Sequence, residues 1–145
     1  MPSVSKSVLV EHSAQQMFDL VDRVEDYPEF LPWCGGTTIL ERTPDALISR
    51  IEINFHGVRA HFTTANRNEP PARIIIALRD GPFRQLDGTW RFRSLAPAAC
   101  KVEFQLRYEF AAKVLEGLIE PVFNHIAATF IDAFVKRADE LDKRT

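Results

Sequence analysis

A chain of 145 residues with 46% apolar and 26% charged side chains is long enough to bury one continuous core and too apolar to stay disordered, so a single domain spanning 1–145 is expected. The formal charge of −2 gives no overall attraction to a polyanion, and DNA is not an expected partner. No window approaches about 18 uncharged apolar residues, which excludes a membrane-spanning helix. The start MPSVSKSVLVEHS lacks the charged beginning and apolar run of a secretory signal, so a cytoplasmic location is expected, with Cys34 and Cys100 as reduced thiols.

In chain order, SVLVE (7–11) reads as a strand. SAQQMFDLVDRV follows as a short helix with Ser13 as N-cap and Met17, Phe18, Leu20, Val21 and Val24 on its apolar face. The segment YPEFLPWCGG (27–36) is too proline-broken for a long helix and too apolar for an ordinary loop. One more helical turn or tight bend is expected there, with Pro28 and Pro32 restricting the backbone that carries Phe30, Leu31 and Trp33.

From TTILER (37–42) onward, strand chemistry repeats in ALISRIEINF, VRAHFTTANRN, ARIIIALRD, LDGTWRFRSL and CKVEFQLRYEF. Turn signals separate the runs at TPD, HG, EPP, DGP and APA, and the short spacing predicts an antiparallel meander. Alternation gives the faces. Trp90 and Phe92 oppose Arg91 and Arg93. Val102, Phe104, Leu106, Tyr108 and Phe110 oppose a charged set, and Ser49, Ile51, Ile53 and Phe55 oppose Arg50, Glu52 and Asn54. One side of the sheet is greasy and the other wet.

The last third has helical periodicity through Leu115, Leu118, Ile119, Val122, Phe123, Ile126, Phe130, Ile131 and Phe134. Pro121 predicts a kink or a separate short helix near 113–120, and the tail from Lys136 is expected to be charged and solvated. The architecture is therefore α+β: a curved, seven-stranded antiparallel sheet wrapped around a long C-terminal helix, with two short helices between strands 1 and 2.

The charge is segregated, with nine basic and four acidic residues over 59–107 against four and nine over 1–58. The basic third is mostly arginine, and Arg73, Arg79, Arg91 and Arg93 are candidates to face RNA phosphates. A solvated outer sheet face is the plainer reading of the same residues.

YPEFLPWC, DGPFRQLDGTWRF and EPVFNHIAATFIDAF, in this order along nearly the whole chain, resemble the START-like (helix-grip) superfamily, and within it the coenzyme-Q-binding subfamily that includes the RatA ribosome association toxins. The resemblance implies a cavity between sheet and long helix, holding ubiquinone or another polyprenyl lipid and needing no further cofactor. Its lining would come from Ile53, Phe55, Phe62, Trp90, Phe92 and Phe104 on the sheet and Leu118, Val122, Phe123, Ile126 and Phe130 on the helix. Phe30, Leu31 and Trp33 would form a flap at its mouth, with Phe83 as the opposite lip. A hydrophobic plug of the barrel end is the alternative role for Phe30 and Trp33.

Motifs for catalysis are absent: no GxSxG elbow, P-loop or dinucleotide glycine pattern occurs. His12, His56, His61 and His125 are scattered, and none has metal-ligand spacing with the cysteines. His125, Glu116, Glu120, Tyr108 and His61 are the candidate acid–base groups for a cyclase, but no acid–base pair is visible. Two functions follow as expectations. One is non-catalytic binding of a small hydrophobic ligand, with transient contact at a membrane surface, in support of respiratory quinone function. The other, implied by the RatA resemblance, is binding to the large ribosomal subunit that blocks 70S association and translation initiation. Polyketide cyclisation is a third, weaker expectation.

Overall fold

The computed structural model describes the backbone of residues 3–55, 57–111 and 113–144, and their side chains apart from those of 113–116, 118, 143 and 144. Strand β1 (Ser3–Val10) leads into helix α1 (Ala14–Asp22), a 3-10 turn (Val24–Asp26) and the single-turn helix α2 (Tyr27–Phe30). Six strands follow: β2 (Cys34–Thr43), β3 (Ala46–Phe55), β4 (Val58–Glu69), β5 (Arg73–Asp80), β6 (Phe83–Ala96) and β7 (Ala99–Phe110). Helix α3 (Lys113–Arg144) ends the chain's described part. The sheet runs β1-β7-β6-β5-β4-β3-β2, so the hairpins form a meander and β1 closes it by pairing antiparallel with β7.

Local chemistry accounts for these elements. Ser13 Oγ accepts from the Gln16 N–H at 3.0 Å, capping α1 as its sequence predicts. The expected alternation holds on β6 and β7: Trp90, Phe92, Val102, Phe104, Leu106, Tyr108 and Phe110 are all buried. Gly88 on β6 lets that wall bend, because a Cβ there would lie 2.6 Å from the Gln105 carbonyl of β7. Register shifts in β2, β5 and β6 add the curvature needed to wrap a helix.

Two expectations about α3 are corrected. Of the two alternatives at Pro121, the separate short helix is overturned: α3 runs as one helix of 32 residues with Pro121 inside it. Proline removes the hydrogen bond to the carbonyl of Gly117, but the packing of Phe123, Ile126, Ile131 and Phe134 against the sheet outweighs one lost bond. The tail is not simply solvated either. Ala138 is fully buried, and the Arg137 guanidinium lies 5.3 Å from the Phe30 ring centre. His12, also buried, places Nε2 2.7 Å from Asp139 Oδ1 and Nδ1 2.8 Å from Asp142 Oδ2. The apolar stripe therefore continues past Lys136 and is locked to the end of β1.

Candidate functional site

Between the sheet and α3 lies an interior cavity of about 70 Å³. Its walls are Ile51, Phe62, Ile76, Leu86, Trp90, Phe104 and Leu106 from the sheet, Phe123, Ile126, Ala127 and Phe130 from α3, and Val21, Val24, Tyr27 and Trp33 from the segment after β1. No Asp, Glu, Lys, Arg or His lines it among the described residues. The hollow is small because aromatic rings fill it: Trp90 and Phe104 stand 4.5 Å apart by ring centres, and Phe130 is 5.7 and 5.6 Å from them. An apolar cavity of about 150 Å³ holds one benzene, so a six-membered ring needs these side chains to move.

Trp33 lines both this hollow and a groove on the surface. It is buried, packs at 5.9 Å on Phe130, and also lines an apolar surface groove of about 280 Å³ with Leu31, Pro32, Phe55, His125, Thr129 and Ala133. Short local bonds set its position. The Cys34 N–H donates to Leu31 O at 3.0 Å and the Asn54 N–H to Trp33 O at 2.9 Å, so Pro32 and the β3 edge fix the backbone on both sides.

Of the proposed lining, Trp33, Phe62, Trp90, Phe104, Phe123, Ile126 and Phe130 converge on the cavity. Leu31 is fully buried beside the outer groove, whereas Phe30 packs on Phe134 at 5.2 Å beneath Arg137. Phe55 stacks on His125 at the surface, 5.5 Å between centres. Ile53 is buried in the core. Phe83 joins a cluster with Phe62, Phe110 and Phe123. Phe92 contacts Phe18 and Trp90, and Val122 is half-buried. The side chain of Leu118 lies outside the described residues.

Three polar residues also line the cavity: Ser49, which the alternation of β3 places on the inner face, and Thr64 and Asn66, which the alternation of β4 did not reveal. Phe62, Thr64, Asn66 and Asn68 share the inner side of β4, but the opposite set of Arg59, His61, Thr63, Ala65 and Arg67 is polar as well. Without contrast between faces, periodicity carries no inward direction.

The expected acid–base candidates do not gather. His61 and His125 are exposed, and the Glu116 side chain and His56 fall outside what is described. The Tyr108 hydroxyl donates to Asn124 Oδ1, and burial, then the nearby Glu120 charge, raises its phenol above the ordinary value. Tyr27 is the titratable cavity residue. Its hydroxyl donates to Val21 O at 2.5 Å, and burial pushes that phenol far up, so it stays neutral. Burial also raises the Cys34 and Cys100 thiols. Among the described residues no group of three or more His, Cys, Asp or Glu is placed to hold a metal ion.

The outer sheet face separates the candidate arginines. Arg73 pairs with Glu69 at 2.7 Å and Arg93 with Glu103 at 3.0 Å. Arg79 and Arg91 are exposed and carry no such partner among the described residues.

Comparison with known proteins agrees with this architecture. The polyketide cyclase / dehydrase and lipid transport family matches residues 10–135. The ribosome association toxin RatA of Vibrio cholerae is 41% identical over 97% of this chain and 98% of its own. The mitochondrial coenzyme Q-binding protein COQ10 homolog B of Xenopus laevis is 26% identical over 94% of this chain and 58% of its own. The Zhui aromatase/cyclase of Streptomyces sp. R1128 shares the fold, with a TM-score of 0.77 over 95% of this chain and 93% of its own at 18% identity. With a matching element order, sheet topology and family span, the chain belongs to the START-like polyketide cyclase / dehydrase and lipid transport family.

Proposed function

We propose that this chain is a non-catalytic binder of a neutral polyprenyl lipid, with ubiquinone as the leading ligand, held between the sheet and α3. One observation carries the reading: an aromatic-lined hollow with no charged side chain on its described lining and a mostly apolar surface groove share a lining residue, Trp33. Burial of each methylene contributes about 0.8 kcal/mol, so a polyprenyl tail binds through area alone and needs few polar contacts. The coenzyme Q-binding name of the Xenopus relative supports this ligand class. General acid–base catalysis needs a titratable group within hydrogen-bond reach of the substrate. Tyr27, already bonded to Val21 O, is poorly suited to that role, which favours binding over cyclisation.

Trp33 then serves as gate, and loading takes place in transient contact with a membrane surface. In a Trp33→Leu variant, Trp90 remains inside the cavity as a fluorescent reporter. Titration with a short-chain ubiquinone is expected to quench Trp90 in both proteins, with altered affinity and faster uptake in the variant. Identical affinity and uptake would remove the gate. An intact chain that yields no lipid on extraction and shows no quinone-induced thermal shift would remove the ligand reading.

The outer surface supports a second activity, in the cytoplasm: association with the ribosome, in keeping with the ribosome association names of relatives at 41% identity, with the large subunit as the proposed partner. The exposed Arg79 and Arg91 guanidinium groups are suited to rRNA phosphates. Added protein is expected to deplete the 70S peak in sucrose gradients, and an Arg79→Glu/Arg91→Glu double variant to lose that effect. An undiminished 70S peak at saturating wild-type protein would sink this activity. One function uses the inside of the fold and the other its outside, so both fit one chain.

A further inference from the structure

We infer that Ser49, Thr64 and Asn66 form a headgroup subsite that recognises an uncharged ring oxygen, of the quinone carbonyl or hydroquinone hydroxyl type, and discriminates against carboxylates and phosphates. This rests on the ligand-binding reading above and specifies which end of the ligand goes where.

Ser49 is wholly buried, and its Oγ has no hydrogen-bond partner among the described residues. The Asn66 Oδ1 is enclosed and equally unpartnered. Thr64 is buried directly across the β3–β4 ladder from Ser49, and Asn66 lies across from Leu47. All three line the same hollow, whose other described walls are apolar apart from Tyr27. Polar atoms buried without partners are rare in native proteins, and each one calls for a ligand or a water.

The donor and acceptor inventory is specific. Two hydroxyls can donate to a carbonyl oxygen, while the Asn66 amide can accept from a ligand hydroxyl or donate to an oxygen. An anionic headgroup finds no cation on the described lining and would be desolvated without compensation. The position is equally informative. Trp33 is bonded to Asn54 of β3, five residues from Ser49 along the strand, or roughly 17 Å at strand rise. The backbone anchor of Trp33 thus lies further along β3 than the polar trio, and the ring is assigned to the trio with the tail on the Trp33 side.

The test compares a short-chain ubiquinone, an alkylbenzene of similar size and decanoate on the full chain and on Ser49→Ala, Thr64→Val and Asn66→Leu variants. Calorimetry is expected to show quinone binding weakened about tenfold by each substitution. Alkylbenzene affinity should hold or rise, and decanoate should bind poorly throughout. Thermal midpoints of the unliganded Ser49→Ala and Asn66→Leu variants should equal or exceed the parent's, because each loses an unpartnered buried group. A marked fall in either midpoint would show that the group is bonded within the protein, and the subsite falls. Quinone affinity unchanged by all three substitutions means that the cluster holds water only, which removes the subsite and leaves the lipid pocket standing. A wild-type chain that takes up neither the quinone nor the alkylbenzene overturns the pocket and the subsite together.

Discussion

Along β6 and β7 the inward side chains are Trp90, Phe92, Val102, Phe104, Leu106 and Tyr108, each buried and packed against rings of α1 or α3 or against one another. Along β3 and β4 the inward positions include Ser49, Thr64 and Asn66, where buried oxygen atoms face a hollow. The two walls belong to one sheet, face one helix and line the same hollow, yet β6 and β7 bring it only Leu86, Trp90, Phe104 and Leu106, whereas β3 and β4 add the oxygen atoms. A packed wall gains from every contact and tolerates no deletion. A wall built around a guest gives up that gain while the guest is absent. The substitutions below are ordered by how strongly each is expected to separate the two walls.

Trp90→Ala removes the largest fully buried side chain and is expected to cost about 3–5 kcal/mol in denaturant unfolding. A loss below about 1 kcal/mol would mean that the β6–β7 wall is no better packed than its counterpart. Gly88→Ala on the same wall forces a Cβ toward backbone oxygen of β7, and a loss of about 1–3 kcal/mol is expected from the same measurement. Ser49→Ala on the opposite wall is expected to be neutral or to stabilise by up to about 1 kcal/mol, since it removes a buried hydroxyl without a partner. A clear destabilisation there would erase the contrast.

The smallest effect concerns the ion pair that ties β2 to the turn after α1. Arg42 donates to both Glu25 oxygens, at 2.5 and 3.0 Å, and that hydrogen bonding holds the Glu25 carboxyl below its ordinary value. A carboxyl more acidic in the folded than in the unfolded chain stabilises the fold above the unfolded value of about 4.3. That contribution fades as the pH falls through the lower, folded value. The pair is partly exposed, so only a few tenths of a kcal/mol are expected. Unfolding midpoints between pH 5 and pH 3 should fall slightly less steeply in Arg42→Met than in the parent.

Much of the architecture was legible in local pattern. Clean alternation in TWRFRSL and KVEFQLRYEF assigned the β6–β7 wall correctly, and Ser13 announced the start of α1. The prolines of YPEFLPWC placed Trp33 on a constrained segment, and the structure holds it between an outer groove and the cavity. Ser49 was legible as an inward position on β3, but Thr64 and Asn66 were not, because both faces of β4 carry polar residues and alternation had no contrast to report. At Pro121 the separate short helix that the sequence allowed does not form, because its neighbours on α3 are pinned by the sheet.

By itself, then, the sequence determined the order of the elements and the greasy face of most strands, since periodicity is a property of neighbouring residues. Only the tertiary structure decided how much space remains between sheet and helix and which oxygens open onto it. That space is the small difference between the volume enclosed by distant elements and the summed volume of the rings they bring to it.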